Sequence, residues 1–139
     1  MDRYNNEGYP DPTAYEALTS VEKDEKDAKA YLPLVYIASP FAGDTERNTE
    51  RTRGFCRLAV SKGAIPLAPH LMYPQFMDDD DNEQRSRGLR FALILLVKCD
   101  ELWVFGDRIS EGMSREIAKA KKKRMPIRYF TSNCEEVSR

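Results

Sequence analysis

Residues 99–120, CDELWVFGDRISEGMSREIAKA, read as a strand, a loop and a helix. The stretch from Glu101 to Phe105 is a short apolar run of the kind that parallel sheets bury, and Gly106 to Glu111 is rich in turn formers. Met113, Ile117 and Ala120 then recur at helical spacing, with the carboxylate of Glu116 near the start of that helix. In an open α/β sheet, ligands bind in the crevice beyond the carboxyl ends of the strands. A loop of Gly, Ser and Asp that opens a helix is therefore where chemistry is expected.

Working outward, LVYIA from Leu34 to Ala38 is a β-prone run entered through Pro33 and left through Ser39-Pro40. The loop SPFAGD follows, then a helix from about Thr45 to Lys62 that is capped by Asp44 or Thr45 and stopped by Gly63, with Phe55, Leu58 and Ala59 on one face. Ala64 to Ala68 supplies a second strand. The segment from Pro69 to Asp81, with its prolines, aromatics and acidic run, reads as a long loop over the sheet's edge. A helix from Glu83 to Lys98 brings Leu89, Ala92, Leu93 and Leu96 to one face, yet Phe91, Ile94 and Leu95 lie on others. A helix apolar almost all round is sandwiched in a core or shared with another subunit, so at least a homodimer is expected. Pro126 to Phe130 is a last strand and Thr131 to Arg139 a polar tail. The alternation predicts an α/β fold: a three-layer, mostly parallel, Rossmann-like (flavodoxin-like) sheet of four to five strands.

The chain has 139 residues, 22 basic and 23 acidic, for a formal net charge of −1. That suits one domain over residues 32–139 and offers no global field to attract nucleic acid or an anionic membrane. Cys56, Cys99 and Cys134 are odd in number and form no CxxC pair, which argues against a zinc site and a disulfide framework. With no signal-like start and no apolar run near ~20 residues, a cytoplasmic, soluble protein is expected. Residues 1–31 are a polar extension that includes EKDEKDAK from Glu22 to Lys29, with a short helix after Asp11-Pro12 through Tyr15 and Leu18. A docking arm and a loosely held terminus are its two readings.

If the first strand is central and the third lies beside it, away from the second, their loops face each other at the topological switch point. Ser39, Gly43, Ser110, Gly112 and Ser114 then offer hydroxyls and bare backbone N–H groups to a phosphate at a helix's positive end. The duller reading makes them turn formers, makes Glu116 a helix-start acid, and makes His70, the only histidine, a packed or capping residue. Tyr36 and Trp103 read as core, and KKKR from Lys121 as a favourable helix end rather than an RNA patch.

VYIASPFAGD, LAPHL, CDELWVFG and SEGMSREIAKA together resemble the nucleoside 2-deoxyribosyltransferase superfamily, most nearly by pattern its 2'-deoxynucleoside 5'-phosphate N-hydrolases. The resemblance spans about two thirds of the chain. It implies that Glu116 attacks the anomeric carbon to form a glycosyl-enzyme ester, which water or another base then resolves, without metal or cofactor. It also implies that Ser110, six residues earlier, holds a 5'-phosphate, as do Ser39 and Gly43, although the family's arginine in that first loop is Phe41 here. The family's second acid falls at Ala92. Asp107, Glu111 or the run Asp78 to Asp81 are the groups that could replace it, with His70 a further accessory candidate, whereas Asp100 opens the strand and lies at the opposite end of the sheet. The expected partner is a small-molecule nucleotide. Two functions stay open: a hydrolase or transferase acting on the N-glycosidic bond of a (deoxy)nucleoside 5'-monophosphate, and a non-catalytic module that binds a nucleotide or a nucleotide-derived signal.

Overall fold

The computed structural model describes residues 31–138, so the expectations for the first 30 residues, the helix through Tyr15 and Leu18 among them, lie outside the described residues. The chain divides into two compact units, Met1–Leu32 and Pro33–Arg139, and all that follows concerns the second. Its elements are β1 (Leu34–Ala38), α1 (Thr45–Ser61), β2 (Ile65–Leu67), a single-turn α2 (Pro69–Met72) running into a 3-10 turn (Tyr73–Gln75), α3 (Asn82–Leu96), β3 (Glu101–Phe105), α4 (Glu111–Lys122), β4 (Ile127–Phe130) and β5 (Glu136–Val137).

The sheet runs β2-β1-β3-β4-β5, with the first four strands parallel and β5 antiparallel to β4. This is the α/β fold expected from the alternation. β1 and β3 are each buried over their last four residues, because helices cover both faces and strand alternation then serves two cores at once. Val35 and Ile37 pack with Phe55 and Ala59 of α1, while Tyr36 and Ala38 pack with Ala92 and Leu96 of α3 and Met113 and Ala120 of α4. On the α1 side a ladder of rings fills the layer: Phe55 stacks on Phe105 at 4.3 Å and Phe105 on Phe130 at 4.6 Å.

Asp100 locks the entry end of the sheet. Its backbone N–H donates to the Leu34 carbonyl and its Oδ2 accepts from the Leu34 N–H, both at 2.7 Å. This acid is thus spent on holding β1 to the start of β3, at the end away from the loops that follow the two strands.

One expectation is corrected and one extended. Residues 69–81 are not one long loop: Pro69 and Pro74 sit in the first turns of α2 and of the 3-10 turn, where a missing N–H costs nothing, so residues read as breakers act as starters. The tail after Phe130, read only as polar, holds a strand. It turns back to add β5, pinned by Arg128, whose Nε and Nη2 donate to the two Glu136 oxygens.

α3 buries only Ala92 and Leu96 fully, and Leu89, Phe91, Ile94 and Val97 each remain more than a third exposed. Leu89 therefore leaves the buried face on which its spacing put it. Among the described residues no helix is long and apolar enough to cross a membrane.

Candidate functional site

At their carboxyl ends β1 and β3 release two loops that touch. Gly106 takes a φ of +106°, which L side chains rarely adopt, and a Cβ placed there would lie 3.6 Å from Pro40 Cδ. Gly43, at φ +100°, turns the first loop into α1, whose N-cap Asp44 accepts from the Arg47 N–H at 3.1 Å. Ser110 caps α4 in the same way, its Oγ accepting from the Met113 N–H at 3.2 Å. Between the two helix starts lies a cleft of about 780 Å³.

Four of the sequence candidates line that cleft: Gly43, Asp107, Ser110 and Glu111. Gly112 and Ser114, in the first turn of α4, are not among the lining residues. Nor is Ser39, which is 2 % exposed and hydrogen-bonded at 2.9 Å to Thr52 Oγ1. Because Thr52 passes its own proton to the Asn48 carbonyl at 2.8 Å, Ser39 is the donor of that pair. His70 stacks nearly parallel on Phe41, with ring centroids 4.8 Å apart, and burial pushes its pKa down against the opposing pull of Asp79. It packs, in line with the duller of its two readings. The acidic run is used locally: Asp78 accepts from the Asp80 N–H, and Asp81 caps α3 through the Glu83 N–H.

The polar cleft residues that escaped the sequence reading include its three arginines, Arg47, Arg51 and Arg108. Arg47 and Arg51 continue, at four-residue steps, the α1 stripe that ends in buried Phe55, and that periodicity was the available signal. Among the described residues none of the three guanidinium groups has an ion pair, whereas Arg53 and Arg57 both pair with Glu50, at 3.2 and 3.4 Å.

Glu116 does not line the cleft. It faces the sheet from the second turn of α4 and is only 6 % exposed. Burial raises its carboxyl pKa to about 7, partly offset by the phenol of Tyr36, whose own ionisation is pushed up by burial and by Glu116. The two groups are near enough to bias each other, yet neither Tyr36 Oη nor Glu116 Oε2 has a geometrically satisfactory hydrogen-bond partner. Ala92 belongs to the same buried cluster as Tyr36, so the place where the resemblance calls for a second acid is apolar here. Among the described residues no group of His, Cys, Asp and Glu side chains is arranged to hold a metal.

A 2-deoxyribosyltransferase from the psychrotolerant bacterium Bacillus psychrosaccharolyticus, a biocatalyst for nucleoside synthesis, has a similar structure: 18 % identity, a TM-score of 0.56, and coverage of 76 % of this chain and 77 % of that one. At that identity the likeness is one of fold. No curated protein matches the chain. A family model described as a domain of unknown function, DUF7768, matches residues 33–130, from the entry of β1 to the end of β4, and the chain belongs to that family.

Proposed function

We propose that this protein binds a phosphorylated (deoxy)nucleoside, a 5'-monophosphate being the smallest such ligand, and cleaves or transfers its N-glycosidic bond with Glu116 as nucleophile. The observation that carries the reading is the state of Glu116 itself. A carboxyl withdrawn from water with one oxygen unpaired and no cation against it is costly to keep, and such groups concentrate where chemistry is done. It stands on the helix whose cap, Ser110, lines the cleft opposite Gly43.

In the first step a carboxylate oxygen would bond to the anomeric carbon as the bond to the base breaks, and the base would leave with the bonding pair and take up a proton. Water or a second base would then attack the same carbon and return the carboxylate, with overall retention. Because Glu116 faces Tyr36 and does not line the cleft, the reading requires an opening that admits the sugar to it. Asp107 is the cleft carboxylate left to protonate the departing base, since Glu111 is held by Arg115 at 2.7 Å. The exposed apolar side of α3 supports assembly as a homodimer.

A second reading, a non-catalytic nucleotide-binding module, is favoured by apolar Ala92 and by the absence of Glu116 from the cleft wall. Incubation with each deoxynucleoside 5'-monophosphate and assay for free base separates the two. Release that Glu116→Gln abolishes supports the enzyme; binding without release supports the module.

A further inference from the structure

One side chain of α1 holds the loop after β1. Asn48, which lines the cleft at the end of the helix's first turn, donates from Nδ2 to two carbonyls of that loop, Phe41 at 3.1 Å and Ala42 at 3.2 Å. Carbonyls only accept, so the nitrogen of the amide and not its oxygen faces them. Across a trans peptide, the C=O of one residue and the N–H of the next point in opposite directions. Fixing the Phe41 and Ala42 carbonyls toward Asn48 therefore turns the N–H groups of Ala42 and Gly43 away from it. The following peptide is fixed too, because the Gly43 carbonyl accepts from the Thr45 N–H at 3.0 Å, which sets the direction of the Asp44 N–H. Among the described residues none of these three N–H groups donates to the protein, and all three residues line the cleft. Asn48 is itself anchored: its N–H donates to the Asp44 carbonyl at 2.9 Å, and its carbonyl accepts from Thr52 Oγ1, which in turn accepts from buried Ser39. Both ends of the loop are thus tied to α1, Ser39 through Thr52 and Phe41–Ala42 through Asn48.

We infer that Asn48 is a positioning residue: it holds the loop after β1 so that the N–H groups of Ala42 and Gly43, with that of Asp44, receive the phosphoryl group of the ligand. Successive amides turned to one side form a concave anion site that needs no side-chain charge. Asn48 acts through the loop, by fixing two peptide planes. This rests on the reading above that the cleft takes the phosphorylated end of a nucleotide, and adds the uncharged group that gives the cleft its shape.

The test titrates the isotope-labelled full chain with inorganic orthophosphate and follows each backbone amide by NMR. In the wild type the signals of Ala42, Gly43 and Asp44 are expected to move together and saturate. Asn48→Leu, close in size but without a donor, should need about tenfold more phosphate to reach half of that shift. Asn48→Ala, which cannot overfill the site, should do the same, and the rest of the spectrum shows that each variant is folded. Because no charge is removed, the ionic-strength dependence of binding should stay as it is in the wild type, which separates loss of the amide cradle from loss of a cation. Phosphate that binds with the three amides unmoved, that binds both variants as tightly as the wild type, or that does not bind at all overturns the inference. Nucleobase release is a separate readout. Release from deoxynucleoside 5'-monophosphates with the same KM in Asn48→Leu and the wild type sinks this inference and leaves the glycosidase reading standing; amide shifts that the variants weaken, without any release, do the reverse.

Discussion

Ionising Glu116 works against the fold. Its carboxyl titrates near 7 in the folded chain against an ordinary 4.5, so between those values the native state holds the extra proton. Stability is therefore fullest below about 4.5, falls as pH rises through 7, and levels off above it. Urea unfolding from pH 5 to 8 should show this decline in the wild type, and Glu116→Gln should lack it, ending more stable at pH 8 by up to roughly 3 kcal/mol. Parallel pH profiles for the two proteins would mean that the carboxyl is solvated. The neighbouring hydroxyl chain makes a second prediction: Thr52→Val strands the buried Ser39 hydroxyl and should cost about 1–2 kcal/mol in the same assay. Ser39 also shows what was legible and overlooked. It continues the odd-numbered alternation of Val35 and Ile37 toward α1, so its inward direction followed from the period of the strand, although its loop position suggested a ligand. The inward turn of Glu116 was legible in the same way: it stands three residues after Met113 and four before Ala120, on the stripe that α4 buries against the sheet.

The central elements were readable because each is an apolar run with a turn signal at both ends. β1 and β3 fall on the residues the sequence marks, and α1 begins after the Asp44 cap. β5 was hidden: two residues are too few to show alternation, and its place is set by the Arg128–Glu136 pair across the strands. That pair is partly exposed, so Glu136→Ala should cost less than about 1 kcal/mol, while amide hydrogen exchange at Val137 accelerates markedly. The caps are stronger. Ser110→Ala removes the acceptor for the Met113 N–H and should lower stability by about 1 kcal/mol. Ser110 also lines the cleft, so the same variant should weaken nucleotide binding beyond what the loss of stability explains.

For the whole unit, the strand order fulfils a condition that the sequence left open, a central first strand and a third that joins it on the side away from the second. The cleft follows from that order, since the reversal of direction between β2 and β3 leaves the loops after β1 and β3 facing each other. Its arginines were not readable as a group, because they come from segments about 60 positions apart whose meeting only the sheet determines. The exposed side of α3 makes the prediction at this scale. Sedimentation velocity should find a dimer, and Ile94→Asp, placing a charge at a residue 45 % exposed, should yield monomers without unfolding the chain.

β2 forms one border of the sheet, only three residues long, with Pro66 in the middle position paired to Val35. A ring nitrogen there cannot donate to an incoming chain, and the opposite border, β5, offers just two residues. Among the described residues neither flank is a ready template for backbone-to-backbone polymerisation, so copies of this unit that meet at high concentration would have to recognise one another through side chains.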